Sequence, residues 1–158
     1  MMAKEHIYRV STAWTGASQG TTSSYQSYSR EYTAKIEGKP PLVGSADPTF
    51  RGDRNLYNPE DLLVIALSAC HMLSYLAICA RAGIRVIDYS DEAVGKMTRK
   101  DGKIQMTEVR LHPKVIIEAG NDLENAIAFH HQAHDECFIA NSVAFPILNE
   151  PIVLEAQA

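Results

Sequence analysis

Three cysteines are the most reactive side chains in this sequence: Cys70, Cys79 and Cys137. The thiolate, rather than the thiol, attacks electrophiles, and a nearby cation favours its formation. An odd, low cysteine count is unlike the disulfide framework of a small secreted protein. The N-terminal segment also lacks the apolar stretch of a signal peptide. We therefore expect a cytoplasmic protein, in which a disulfide would be catalytic or sensing.

Cys70 lies in the middle of a long predicted helix that runs from Asn58 to Gly83. Asn58 suits the N-cap, Pro59 the first helical position, and Gly83 the position after the last turn. The thiol is ~15 Å from the helix start, so the helix dipole does not lower its pKa. A neighbouring arginine, which stays charged when partly buried, is the better candidate.

The same helix is apolar on nearly every side, which is typical of a helix enclosed by other elements or by a partner chain. Its stretch Leu62–Ala80 approaches the ~20 residues that cross a bilayer. Polar side chains interrupt it, however, and we predict a buried core helix and no membrane contact. Cys79 points to the side opposite Cys70, so we expect it to pack in the core.

The composition is that of an ordinary soluble domain. Of the 158 residues, 46% are hydrophobic and 22% are charged, and the net charge is -4. This balance, without a run of basic residues, argues against nucleic-acid binding. A chain of this length buries enough surface to fold without a disulfide or a metal.

Strands and helices come in separate runs, which predicts an α+β fold. In chain order the predicted elements are a hairpin of strands 6–14 and 25–36, a loop at 37–58, the long helix, strands 84–97 and 104–118, a helix at 122–137, a turn at 142–148 and a strand at 151–155. Asp101-Gly102 predicts the second hairpin, and Pro113 an edge or a bulge. We expect a single domain, 1–158, divided into an N-terminal part (1–57), the central helix (58–83) and a C-terminal part (84–158).

The second helix carries a dense group of possible metal ligands. His130 and His134 are four residues apart on one face, and His131, Asp135 and Cys137 are close by. The HExxH pattern of zinc proteases is absent, because His131 follows His130 and no glutamate comes next. We interpret the group as a solvated helix face and predict no metal and no cofactor.

Two motifs at a defined spacing resemble those of one protein family. Asn58-Pro59-Glu60 is followed ten residues after Glu60 by Cys70 in SAC, and Cys137 lies in HDECFIANSV, 67 positions further on. Together with the order of elements, they resemble the OsmC/Ohr family of organic hydroperoxide reductases, in its OsmC-like branch. The resemblance implies an α+β, OsmC-like fold of antiparallel β-sheets, a long central buried helix and a second helix, in an intertwined homodimer.

The resemblance also implies roles for individual residues. Cys70 matches the peroxidatic cysteine, Cys137 the resolving cysteine, and Glu60 the glutamate of the Asn-Pro-Glu motif. The implied activity is reduction of organic hydroperoxides through a Cys70 sulfenic acid and a Cys70–Cys137 disulfide. A dithiol such as a lipoyl protein, or a small thiol, would then regenerate the enzyme. The alternatives are a non-catalytic protein that binds hydrophobic ligands and a thiol redox sensor.

The family's catalytic arginine has three candidates. The OsmC branch places it in the loop before the long helix, which indicates Arg51 in TFRGD, with Arg54 second. The Ohr branch places it near the N-terminal hairpin, where this chain has Arg30. The chain departs from the family at Phe138, where many members have proline, and at His71, where an aromatic or aliphatic residue is usual.

Glu60 and Cys70 are ~15 Å apart along one helix, so Glu60 cannot easily serve the cysteine of its own chain. Either the loop before the helix folds back so that Arg51 bridges the gap, or two long helices pack antiparallel across a two-fold axis. The apolar surface of the helix favours the second arrangement. We therefore expect a homodimer in which Glu60 of one subunit lies near Cys70 of the other.

Overall fold

The computed structural model of the chain describes residues 5–157, which form nine strands, two α-helices and three 3₁₀ turns. These residues fall into two compact units that divide between Leu62 and Leu63. The combination of sheets and separate helices confirms the predicted α+β class.

The first unit contains one antiparallel sheet of three strands in the order β1-β2-β3: Ser11–Trp14, Tyr32–Lys35 and Leu42–Gly44. The predicted hairpin of β1 and β2 is confirmed, with Ser11 opposite Lys35 and Trp14 opposite Tyr32. Both strands are shorter than predicted, because residues 5–10 find no pairing partner among the described residues.

The prediction of an irregular loop at 37–58 is wrong in two places. Strand β3 pairs with β2 there, and Pro48–Phe50 form a 3₁₀ turn. Proline and glycine lie in or beside both elements, as expected for a region of turns. The short stretches among them nevertheless form a strand that pairs with β2 and a helical turn. The sheet order shows that β2, once paired with β1, still offered a free edge.

Helix α1 spans Pro59–Arg81 and begins and ends as predicted. The Asn58 side chain accepts a hydrogen bond from the Asp61 amide at 2.8 Å, and the Asp61 carboxylate accepts one from the Asn58 amide at 3.3 Å. This reciprocal pair satisfies two donors at the helix start. At the other end Gly83 has φ +77°, and the Ile84 amide donates to the Cys79 carbonyl at 2.9 Å, which closes the helix.

One side of α1 is buried in the second unit and the other is not. Leu67, His71, Tyr75, Ile78 and Cys79 are the buried residues of the helix. On the other side Ile65 and Leu73 are 49% and 62% exposed in the single chain. By length and composition alone, α1 is also the one helix of the described residues that is long and apolar enough to cross a membrane. The core helix of a soluble protein meets the same criterion.

The second unit contains two three-stranded sheets, each with an antiparallel and a parallel pair. Their strand orders are β4-β7-β9 (Val86–Asp91, Pro113–Ile117 and Ile152–Glu155) and β5-β6-β8 (Val94–Lys100, Lys103–Leu111 and Ile147–Asn149). The outer pairs β7/β9 and β6/β8 are parallel, so the sheets are mixed rather than entirely antiparallel. Each parallel pair needs a long crossover, and α2 at Leu123–Glu136 lies within it.

The turn and cap predictions of this unit are largely confirmed. Asp101 and Gly102 adopt φ +51° and +79° and join β5 to β6, and Asp122 caps α2 by accepting from the Asn125 amide at 2.9 Å. Pro113 is instead the first residue of the middle strand β7, where a missing amide is tolerated. The turn predicted at 142–148 overlaps strand β8, which is only three residues long.

Two apolar cores hold the helices on these sheets. The larger one combines α1, α2 and the β4-β7-β9 sheet, through Tyr75, Ile78, Cys79, Ile84, Val115, Ile117, Ala126, Ala133 and Val153. The smaller one combines the start of α1 with β6, through Leu67, Val109 and Leu111. Since both cores use α1, this helix sets the positions of the side chains that it carries.

Candidate active site

Cys70 and Cys137 lie together, although 67 residues separate them. Cys70 is in the middle of α1, and Cys137 is the C-cap residue of α2, where the backbone leaves the helix with φ −75° and ψ 107°. The two thiols are free and are close enough for Cys70 to raise the pKa of Cys137. The packing of α1 against α2 therefore makes neighbours of two thiols that the chain holds far apart.

The two thiols differ in exposure. Cys70 is half-buried, whereas Cys137 is 1% exposed. Burial raises the pKa of the Cys137 thiol to about 11, and its hydrogen bond to Cys70 adds to that shift. The Ala140 amide donates a hydrogen bond to the Cys137 sulfur at 3.4 Å and opposes the shift. Cys137 is therefore protonated at neutral pH and is shielded from large reagents.

Cys70 lines a cavity of about 630 Å³. Its walls are mostly apolar and come from α1 and from the end of α2 and the following segment: Ala66, Ala69, Cys70, Leu73, Ser74, Ala77, Arg81, Asp135, Glu136, Phe138 and Asn141. Arg81 and Glu136 form an ion pair of 3.1 Å within this lining. An apolar molecule in this cavity would contact the Cys70 thiol, whereas Cys137 does not line it.

Cys79 lies in the larger core, fully buried beside Tyr75, as its position on the helix predicts. Burial raises the pKa of its thiol. A buried, protonated thiol among apolar side chains is chemically inert. Of the three cysteines, the structure therefore pairs two and isolates the third.

Arg51 and Glu60, the other predicted site residues, belong to the first unit. Arg51 ends the Pro48–Phe50 turn with φ +69°, and its side chain is exposed. The turn is tightly built, since a Cβ atom at Gly52 would lie 1.6 Å from the Ala46 carbonyl oxygen. Glu60 is in the first turn of α1, half-buried. Arg51 and Glu60 both lie within residues 5–157, and they form no ion pair with each other in the single chain.

The alternative arginines differ in their surroundings. The Arg30 guanidinium stacks on the rings of Tyr28 and Tyr25, at 3.8 and 4.7 Å from their centroids, and donates to the carbonyl oxygens of the same two residues. These contacts use Arg30 to hold its own loop. Arg54 is exposed, like Arg51.

Glu60 has a neighbour in the first unit, the side chain of Tyr32. Burial raises the pKa of Tyr32, and the neighbouring Glu60 charge adds to the shift.

The interpretation of His130 as part of a solvated helix face is wrong. His130 is 2% exposed, and its Nδ1 atom lies 3.0 Å from Nε2 of His71, which is 1% exposed. No sequence pattern indicates this pair, because the two residues are 59 positions apart on different helices. Within residues 5–157, no group of three or more histidine, cysteine or acidic side chains has the geometry of a metal site.

A second polar network was also missed. The Asp91 carboxylate accepts hydrogen bonds from the Ser68 hydroxyl at 2.5 Å and from the His112 amide at 2.7 Å. It thereby ties α1 to strand β4 and to the segment between β6 and β7. Ser68 is one of the polar residues that interrupt the apolar stretch of the helix, and that interruption was its only signal.

The mixed α+β fold and the neighbouring thiols at α1 and α2 are the features by which this chain is compared with known proteins. Residues 52–149 match the family model described as OsmC-like protein, and the chain therefore belongs to the OsmC family. This match confirms the resemblance inferred from the two cysteine motifs. No curated protein sequence matches the chain.

Solved structures extend the comparison over nearly the whole chain. An OsmC-like protein of unknown function from Vibrio cholerae is 32% identical, with a TM-score of 0.86, and the match covers 94% of this chain and 100% of that one. An organic hydroperoxide resistance protein from Elizabethkingia anophelis is 20% identical, with a TM-score of 0.68 over 97% and 100% of the two chains. The organic hydroperoxide resistance protein OhrB of Bacillus subtilis is 16% identical, with a TM-score of 0.63 over 94% and 98%. The last two similarities show the fold alone.

Proposed function

We propose that this protein is a cysteine-based peroxidase that reduces organic hydroperoxides. The observation that carries the proposal is the contact between a half-buried Cys70, which lines an apolar cavity, and a buried Cys137. The cavity suits a hydroperoxide with an apolar body. Relatives of the same fold are named organic hydroperoxide resistance proteins.

The chemistry divides between the two thiols according to their exposure. The Cys70 thiolate attacks the terminal oxygen of the hydroperoxide, the O–O bond breaks, and the leaving alkoxide takes a proton to become an alcohol. Cys70 is then a sulfenic acid. The Cys137 sulfur attacks the Cys70 sulfur, which releases water and forms the disulfide. An external dithiol, such as a lipoyl group, reduces this disulfide by exchange and is itself oxidised to a disulfide.

Arg51 and Glu60 are proposed to complete the site. A guanidinium beside Cys70 favours the thiolate and stabilises the negative charge on the leaving oxygen. Glu60 would hold that guanidinium through a bidentate pair. In the single chain Arg51 and Glu60 are unpaired with each other, and Ile65 and Leu73 are exposed on α1. These features support a homodimer in which the long helices pack together and each site uses both subunits.

The test is consumption of cumene hydroperoxide with dihydrolipoamide as the reductant. We expect turnover by the wild type, none by Cys70→Ser, and one slow turnover or less by Cys137→Ser. Cys79→Ser is the matched control, because it replaces an isolated thiol, and it should retain the wild-type rate per folded molecule. Equal turnover by the wild type and Cys70→Ser would refute the proposal.

Intact mass after one equivalent of peroxide tests the intermediate. A Cys70–Cys137 disulfide lowers the mass by ~2 Da, whereas a stalled sulfenic acid raises it by ~16 Da. The wild type should show the loss and Cys137→Ser the gain. Light scattering tests the dimer separately, and a monomer at micromolar concentration would contradict the shared site.

A non-catalytic ligand-binding protein is the second candidate, and the apolar cavity of about 630 Å³ is the observation that favours it. This function predicts that Cys70→Ala keeps full affinity for an apolar probe and that the wild type shows no peroxide turnover. A redox sensor predicts the disulfide but no sustained turnover with the dithiol. The two assays above therefore separate all three functions.

A further inference from the structure

A second cavity lies in the second unit of the chain and shares no lining residue with the Cys70 cavity. It measures about 320 Å³ and is lined by Ile127, His130, His131, His134, Ile147, Asn149 and Pro151. Three of these residues are apolar, and the others bring nitrogen and oxygen atoms. Two lining residues, His130 and Asn149, have buried polar atoms without a hydrogen-bond partner: His130 Nε2 and Asn149 Oδ1.

Stacking holds the His130 ring in place. It stacks on Tyr75, with centroids 3.9 Å apart and planes at 17°, and lies edge to edge with His71, with centroids 5.4 Å apart and planes at 13°. Its Nδ1 atom lies 3.0 Å from His71 Nε2. Because Nδ1 is occupied by this contact, Nε2 is the nitrogen that His130 can offer to a ligand.

The hydrogen bonds of Asn149 assign the proton positions. Its Nδ2 atom lies 3.4 Å from the His130 carbonyl oxygen, which can only accept, so this atom is the amide nitrogen. The same nitrogen lies 3.0 Å from His71 Nε2, which therefore accepts and carries no proton. The proton of neutral His71 is then on Nδ1, a buried atom that also has no hydrogen-bond partner. His130 Nδ1 faces that same unprotonated atom and must donate to it. In neutral His130, Nε2 is thus left with a free lone pair.

Burial keeps this assignment intact at neutral pH. It lowers the pKa of His130 to about 3, with a smaller contribution from His71, and that of His71 to about 4, although the Asp91 charge opposes the shift at His71. His130 Nε2 therefore stays an acceptor, and Asn149 Oδ1 is a second acceptor. Two buried acceptors without donors cost free energy, which a donor from outside would recover.

We propose that this cavity binds a small molecule with an apolar body and one hydrogen-bond donor, of the alcohol class, whose hydroxyl donates to His130 Nε2 or Asn149 Oδ1. Two acceptors repel an anion, which excludes carboxylates and phosphates as ligands. Ile127, Ile147 and Pro151 would contact the apolar body. No lining residue is shared with the Cys70 cavity, so the site does not depend on the peroxidase proposal.

A pair of probes with the same body tests the donor requirement. The reduced, full-length protein is titrated with cyclohexanol and with cyclohexyl methyl ether, and amide NMR shifts of residues 123–136 and 147–151 are followed. We expect the alcohol to bind at least about tenfold more tightly than the ether, since the ether cannot donate. The side-chain nitrogen spectrum should show His130 Nε2 moving from an unprotonated position toward a hydrogen-bonded one.

Variants locate the site. Asn149→Leu and His130→Phe each remove one acceptor at similar volume, and the better acceptor is identified by the variant that loses the tenfold preference. His131→Ala, which changes an exposed lining residue, should keep it. Equal binding of alcohol and ether, or shifts from neither, would overturn the proposal and leave water as the donor. Tighter binding of Zn²⁺ than of the alcohol, at the same amides, would overturn it in favour of a metal site. The wild-type titrations decide the matter even if a variant does not fold.

Discussion

Acidification should destabilise this protein through His71 and His130. Burial lowers their pKa values from 6.5 to about 4 and about 3, although the Asp91 charge opposes the shift at His71. The folded protein therefore holds both rings neutral, whereas the unfolded chain protonates them below about pH 6.5. The stability that depends on them is complete above that pH and is lost as the pH falls toward the folded values.

The magnitude follows from the uptake of protons by the unfolded chain alone. Each such proton costs ~1.4 kcal/mol per pH unit below the unfolded pKa. Between about pH 8 and about pH 5 this amounts to ~2 kcal/mol for each histidine, or ~4 kcal/mol for the pair. A loss of that size is a large fraction of the ~5–15 kcal/mol that stabilises an ordinary domain.

Urea unfolding at about pH 8 and about pH 5 measures the loss. His130→Phe removes one titrating ring, and its stability should fall by ~2 kcal/mol less than that of the wild type over this interval. His131→Ala is the control: this histidine side chain is 83% exposed, and the variant should follow the wild type. Equal losses in the wild type and His130→Phe, or protonation of either buried ring above about pH 6 in NMR spectra, would refute the reasoning.

Three further predictions concern single positions. Gly83→Ala should lower the free energy of unfolding by ~1 kcal/mol in urea, because φ +77° disfavours a side chain; an unchanged value would contradict this. Asn58→Ala should cost ~1 kcal/mol through loss of the bond to the Asp61 amide, and Asn58→Ser should restore most of it. Iodoacetamide at about pH 8 should alkylate Cys70 before Cys137, whose burial raises its pKa to about 11; peptide mapping that found the reverse order would contradict the assignment of roles.

The features that the sequence determined are those set by neighbouring residues. Asn58 and Gly83 place the ends of α1 because a side-chain acceptor and a positive φ act within one turn. Asp101-Gly102 places a hairpin for the same reason. Strands β3 and β8 escaped notice because three-residue strands carry too little pattern, and only the free edge of an existing sheet makes them form.

The candidate site depended on both levels. The sequence singled out Cys70 and Cys137 through two motifs, but the proximity of their thiols required the packing of α1 against α2. Which thiol is open to a substrate also required tertiary structure, because exposure depends on everything that covers a side chain.

The histidine pair shows the limit of local pattern most clearly. On a helix whose exposed face is rich in polar residues, His130 has the pattern of a solvated residue, and its spacing to His134 suggests a metal ligand. Packing instead places it against His71 and Tyr75, buried and neutral. Local spacing determines which side chains share a helix face. Only the fold decides what that face meets, because the contact joins residues whose separation along the chain carries no signal.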